Sequence, residues 1–403
     1  MEKSSIMPPG WKLVKLKDVA YINPSSAPIE DHALVTFLPM AGVSELGSII
    51  KPEVKEAGGI KSGFTSFETG DVLIAKITPC FENYKGCLCG ELLNNRGFGS
   101  TEFHVLRPRK GITSEYLHIL TRTHHFRGSG ELNMTGTAGQ KRVPADFLKN
   151  YIFLLPSLSE QKAIADLLST WDAAIAKTER LIRAKKLQKS SKLHSLISCN
   201  TPNSTIGSFA KPVVRPEKKP GGSYIALGIR SHFKGTFQRT IVDPNLVEMD
   251  VLYKVKENDL IVNITFAWEG AIALVKKEDE ACYVSHRFPT YEIQETKADP
   301  FFVRQLIMAS RMKYDLANIS PGGAGRNRVL NKNDFLKMPI WLPDMEQQRI
   351  IGEFLYRLDT DIILLNKLLE NYKLQKRGLM QKLLSGEWRI KSEIVAKYEN
   401  ERI

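Results

Sequence analysis

Long apolar runs are missing from this chain: no stretch approaches the roughly 20 residues that a helix needs to cross a bilayer. The amino-terminal MEKSSIMPPGWK also lacks the apolar core of a signal peptide. Cysteine is sparse and odd in number. Cys80, Cys87, Cys89, Cys199 and Cys282 make no even disulfide framework, so a reduced, cytoplasmic setting without membrane contact is expected. Cys87-Leu-Cys89 near Cys80 has no CxxC or His pair beside it, so buried thiols are expected and no metal site. The Gly-Lys dipeptide is absent, which excludes a P-loop. Asp299-Pro300-Phe301-Phe302 lacks the second proline of an adenine methyltransferase motif and falls at an expected helix start. Glu53-Val-Lys55 and Glu295-Thr-Lys297 match half of a nuclease motif, which arises by chance in so charged a chain. No nucleophile elbow or zinc-protease helix occurs, so no catalytic residue is expected.

Negative charge is short as well: 44 Asp+Glu face 57 Lys+Arg, a net +13 over 403 residues. Such an excess favours polyanions, nucleic acid being the commonest; a merely solvated basic surface is the bland alternative. Apolar and charged contents of 42% and 25% are ordinary for a soluble protein, and the length allows two to three domains with substantial cores.

What the chain does have, it has twice. Residues 138–198 (AGQKRV…DFL…LLPSLSEQKAI…WDAAI…KLQK) return at 324–385 (AGRNRV…DFL…WLPDMEQQRI…LDTDI…KLQK). From Pro156/Pro343 the copies align without a gap at an offset of 187, pairing Gln161 with Gln348 and Asp172 with Asp359. Fainter echoes lie upstream: Leu16–Ala20 and Ile206–Ala210, Ile74–Thr78 and Ile261–Thr265, Phe98-Gly99-Ser100 and Tyr283-Val284-Ser285. One scaffold used in duplicate, with diverged variable parts, suits a protein that reads two different things.

Each half reads as a mixed, strand-rich region followed by a long helix. Strands are expected at Val35–Met40, Asp71–Ile77, Glu102–Leu106, Tyr224–Ile229, Asp259–Thr265 and Pro289–Ile293. Amphipathic helices are expected at Ser114–Phe126 and Pro300–Ala317, and last strands at Asp146–Leu155 and Asp334–Leu342. The second long helix carries a seam at Ile351, Leu355, Leu358, Ile362, Leu365, Leu369, Tyr372, Lys376, Leu379 and Leu383. Ile363, Leu364, Leu368 and Leu374 lie off it and offer apolar surface to a further subunit. The first helix has Ile164, Leu168, Trp171, Ile175, Thr178 and Ile182, and then turns basic with Lys185, Lys189 and Lys192. Helices of about 40 residues extend about 60 Å. Packed antiparallel, they would hold two globular regions apart.

The repeated Gly-x-x-x-Val…Asp-Phe-Leu…Pro…Glu-Gln-x-x-Ile…Asp-x-x-Ile with its long basic helix resembles the specificity subunit of type I restriction-modification systems. The opening Pro9-Gly10-Trp11-Lys12 and the strings Gly70–Leu73, Lys76–Asn83 and Phe98–Phe103 carry the same resemblance, which covers nearly the whole chain. It implies an α/β mixed fold: two target recognition domains at 1–155 and 200–342, helical spacers at 156–199 and 343–387, and a tail at 388–403. It implies that each domain reads half of a split double-stranded DNA site. It further implies docking of methyltransferase and restriction subunits on the helices, with S-adenosylmethionine, ATP and Mg held by those partners and no cofactor here. A stand-alone DNA-binding or coiled-coil adaptor is the main rival reading; an enzyme is a distant third.

Base reading needs side chains that bond base edges, while Lys and Arg grip phosphates. In the first domain Lys76, Glu82, Asn83, Lys85, Thr101 and Glu102 lie in or beside Gly/Pro-punctuated loops. Arg230, Trp268, Glu269, His286 and Arg287 are the second-domain candidates, although Trp268 follows an apolar strand as a core anchor would. The twin loops with Gln140, Lys141 and Arg142, and with Arg326, Asn327 and Arg328, are candidates to face phosphates, because glycine allows close backbone approach there.

Overall fold

The computed structural model describes residues 7–137, 139–323 and 328–399. The chain forms two compact units, Met1–Lys177 with Leu369–Ile403 and Thr178–Leu368.

In the first unit, Val72–Ala75 is buried at every position, as an unbroken apolar run requires when both faces of a strand are covered. It lies inside an antiparallel sheet ordered Ala20–Ile22, Phe103–Pro108, Val72–Ala75, Gly86–Leu88. A second sheet runs Glu53–Glu56, Leu34–Leu38, Arg96–Gly99, Thr65–Glu68, with one parallel pair, Leu34–Leu38 beside Arg96–Gly99. Lys12–Lys15 pairs with Ile152–Leu155.

The second unit repeats this plan. Ala210–Val213, Thr290–Ile293, Leu260–Val262 and Ile272–Leu274 form the first sheet in the same order. Val251–Lys254, Tyr283–Val284, Tyr224–Ile229 and Thr236–Ile241 form the second, again with one parallel pair. Pro216–Lys218 adds a fifth strand at its edge.

The turn into each central strand is also repeated, although sequence hides it. Gly70 and Asn258 both take left-handed φ, +88° and +64°, a region open to glycine and tolerated by asparagine. The next residues, Asp71 and Asp259, are buried, cap the turn through the amides of Glu68 and Lys256, and bind Arg107 and Arg215.

Several expected elements differ. Asp146–Leu155 and Asp334–Leu342 open as short helices, Ala145–Asn150 and Lys332–Lys337, and only Ile152–Leu155 and Pro339–Ile340 are strands. Asn331 caps the second helix through the amides of Asn333 and Asp334, and Leu148 and Phe335 are buried from one face. Fewer than two helical turns are too short to display a period. Ser114–Phe126 and Pro300–Ala317 each divide into two helices, Ser114–Leu120 with His124–Leu132 and Pro300–Leu306 with Ser310–Asn318. Thr123 starts a new helix by capping Phe126, and Ala309 is extended.

The long helices are Leu158–Leu193 and Met345–Leu384. Their expected seam is buried or half-buried from Ile164 to Ile182 and from Ile351 to Leu383. In the second unit Lys189 pairs with Asp359 at 2.5 Å and Lys185 with Asp361 at 2.8 Å, an antiparallel arrangement. In the first, Ile164 and Leu168 share a core with Leu383, and Trp171 meets Tyr372 edge-on with ring centroids 5.8 Å apart. Asp172 pairs there with Lys376 at 2.5 Å. Lys185 and Lys189 therefore belong to the seam, while Lys177, Arg180, Arg183, Lys186 and Lys192 stay exposed.

The cysteines are free thiols; Cys87, Cys89 and Cys282 are buried, but Cys80 is half-buried and Cys199 is exposed at the end of the first helix. Among the described residues no helix is long and apolar enough to cross a membrane.

Candidate nucleic-acid interface

Strand Val72–Ala75 delivers the chain into a loop that two other loops bind at the backbone. Lys76 N–H donates to Glu102 O at 2.8 Å, Val143 N–H to Lys76 O at 2.9 Å and Thr78 N–H to Lys141 O at 2.9 Å. The fold thus gathers Lys76, Glu82, Asn83, Thr101, Glu102, Gln140, Lys141 and Arg142 around one site. Asn83, Thr101, Gln140 and Lys141 are exposed there.

Others are engaged within the protein. Arg142 donates to Glu102 from Nε at 3.0 Å and Nη2 at 2.8 Å. This bidentate bond, with Lys76 and His104 nearby, holds the Glu102 carboxyl below the usual carboxylate range. Glu82 is half-buried and accepts from the Thr78 hydroxyl. Lys85 turns back to Met40 O at 3.3 Å.

The second unit builds the same backbone frame with different side chains. Ile264 N–H donates to Arg287 O at 3.1 Å and Leu330 N–H to Ile264 O at 2.9 Å, matching the bonds of Lys76 and Val143. Trp268 is not a buried core anchor: it is half-buried at the surface, held by its Nε1 bond to Thr265 O at 3.1 Å. It lines an open depression with His232, Glu269, Lys313 and Tyr314. Arg328 stacks over Trp268 with 5.4 Å from guanidinium carbon to ring centroid and donates to Ser320 O and Ala317 O, both at 3.1 Å. Ala317 lies in the last turn of helix Ser310–Asn318 and Ser320 just past its end, so Arg328 also ties down that helix terminus. Arg287 reaches Thr265 Oγ1 at 3.3 Å, and Ser231 donates to Glu269 at 2.6 Å. Arg230 lies on the Thr236 carbonyl and the Phe237 ring. His286 lines a groove with Arg215, Lys254 and Lys332. Arg326 and Asn327 fall outside the described residues.

Sequence reasoning missed His232, Lys313 and Tyr314 around Trp268, and Arg122 and Arg127 beneath the first loop. Nothing local marks them; they arrive from elements distant in sequence.

The two units thus repeat one fold and carry different loops. The sequence matches the family described as "Type I restriction modification DNA specificity domain" over residues 8–186 and 210–373, and the chain belongs to that family. It is similar to the type I restriction enzyme EcoAI specificity subunit of Escherichia coli, 41% identical over 165 residues, covering 40% of this chain and 28% of that one. The EcoEI specificity subunit of the same species is 38% identical over 170 residues, covering 42% and 29%. The alignments thus span under a third of those two relatives. A solved structure titled for "complex assembly and conformational transition of the type I R-M system" shares the fold, with a TM-score of 0.58 at 16% identity over 95% of this chain and 100% of that one.

Proposed function

We propose that this chain is the non-catalytic DNA-recognition subunit of a cytoplasmic type I restriction-modification assembly, each unit reading one half of a bipartite duplex target. The observation that carries the reading is the repeated backbone frame around Lys76 and Ile264, on which the side chains differ: Glu102 with Arg142 in one unit, Arg287 and Arg328 over Trp268 in the other. Matching backbone bonds with different polar groups suit two different half-sites. Exposed Lys141 grips phosphate, and Asn83 reaches base edges.

The long helices set the spacing of the half-sites and dock methyltransferase and restriction subunits. Ile363, Leu364 and Leu374 support this, being 66%, 59% and 64% exposed on a helix whose seam is already filled. S-adenosylmethionine, ATP and Mg belong to those partners.

Modified bases mapped in DNA from cells carrying this chain and a methyltransferase subunit test the proposal. A target of two short specific blocks separated by unspecified bases is expected; one contiguous block overturns it.

A further inference from the structure

Two arginines from a distant part of the chain lie beneath the loop that carries Glu82 and Asn83. Arg127, on helix His124–Leu132, is 1% exposed. Its Nε donates to Thr121 O at 2.7 Å and its Nη1 to Phe81 O at 2.9 Å. Its guanidinium also stacks on the rings of Phe81 and Tyr84, 4.6 and 5.5 Å from their centroids. Half-buried Arg122 donates from Nη1 to Tyr84 O at 3.1 Å and from Nη2 to Glu45 O at 2.8 Å. Helix and loop are in close contact: a Cβ on Gly130 would stand 2.3 Å from the Phe81 ring.

The hydrogen bonds of both guanidinium groups go to backbone carbonyls, and Arg127 Nη2 is buried without a hydrogen-bond partner. Burying such charge is costly, and here desolvation, then repulsion from Arg122, pushes the Arg127 pKa down to about 9. What the fold gains is a fixed loop. A planar, forked cation can bond one carbonyl, brace a second element and stack on two rings at once, which a lysine cannot do.

We propose that Arg127 and Arg122 are positioning residues that fix the loop Pro79–Tyr84 and thereby set the sequence preference of the first recognition unit. The proposal rests on the reading of that loop as DNA-contacting. The second unit holds its corresponding loop differently, through backbone bonds from His232 N to Glu269 O at 2.8 Å and Phe233 N to Gly270 O at 2.9 Å. Its half-site preference therefore serves as an internal control.

The test uses the full chain with Arg127→Lys and Arg122→Lys, which keep the charge and lose the fork. Hydrogen exchange is followed at the amides of Phe81, Asn83, Tyr84 and Lys85, which bond carbonyls within residues 77–81. In parallel, duplexes with randomised half-sites are selected on the protein and sequenced. Loop amides should exchange on the order of tenfold faster, as loss of one charge-assisted bond implies, while Val72–Ala75 stays protected. First half-site preference should flatten, with second half-site preference and the salt dependence of binding unchanged. Unchanged loop exchange in both variants overturns the proposal. So does faster exchange with preference intact, if Asn83→Ala does alter it. If Asn83→Ala has no effect either, the DNA-contacting reading of the loop is what fails, and the proposal falls with it. Should Arg127→Lys also strip protection from Val72–Ala75, half-buried Arg122→Lys decides on the same criteria.

Discussion

One glutamine at the start of each long helix closes the same three hydrogen bonds. Gln161 accepts from Thr113 N and donates to Gly111 O and Pro156 O; Gln348 accepts from Asp299 N and donates to Lys297 O and Pro343 O. The strings Glu160-Gln161 and Glu346-Gln347 would align one residue out of the 187 offset, and these bonds select the ungapped register, Gln161 with Gln348. Gln161→Ala would leave buried backbone groups unpaired, so a loss of about 2–3 kcal/mol is expected in urea denaturation, with Gln348→Ala acting alike in its own unit. Protonation has a direction too. Desolvation, then the charges of Arg122, Lys376 and Arg127, pushes the His118 pKa down to about 3, and burial lowers that of His104. These folded values lie below the ordinary 6.5, so the unfolded chain binds more protons. Stability of the first unit should fall as pH drops from about 6.5 toward 3, and His118→Gln should make that fall shallower in denaturation measured at stepped pH.

At the scale of elements, the helix pair combines apolar packing with repeated ion pairs. Asp172 with Lys376 and Asp359 with Lys189 occupy equivalent places in the repeat. The Lys189 side chain is only 11% exposed, and Asp359 also accepts from Gln305. Asp359→Asn therefore strands a largely buried ammonium, and a cost of about 1–3 kcal/mol is expected by thermal or urea unfolding. Replacing both partners, Asp359→Leu with Lys189→Met, should recover most of it. A double variant as unstable as the single one would show that the charge pair is not the origin. Seam, helix limits and off-seam apolar residues were legible because a 3.6-residue period persists for nine or more turns. Ala145–Asn150 and Lys332–Lys337 were not, because caps and burial rather than period define them.

For the whole molecule, the net charge of +13 adds a sequence-independent component to duplex binding, which declines steeply between about 50 and 200 mM salt. Lys141→Ala should lower affinity for all sequences and reduce the salt slope by about one. Asn83→Ala should instead change preference at one half-site, as read by sequencing bound duplexes. The spacer proposal has its own test. Asp172 faces Lys376 and Lys189 faces Asp359, so insertions should be matched near Arg180 and Leu368. Four residues in each helix add about 6 Å, close to two base pairs, and roughly preserve the seam. Methylation mapping should then find more unspecified bases between unchanged half-sites; an unchanged spacing would mean that the helices do not set it.

The sequence by itself determined the duplication, the two long helices with their seam, the basic balance and the family, because these are written in local order: periods, offsets and strings of adjacent residues. It also singled out the loops proposed to carry recognition. Only the tertiary structure decided which candidate side chains are exposed and which are engaged within the protein. Lys141 and Asn83 remain exposed, whereas Glu102 is bound by Arg142, Lys85 by a carbonyl of Met40, and Arg328 by a helix end and Trp268. The same holds for Arg122 and Arg127, and for the buried Asp71 and Asp259 with their arginines. Apart from Arg328 with the helix end, 8 and 11 positions before it, these pairings join residues more than 30 positions apart or depend on burial, and none leaves a periodic trace along the chain.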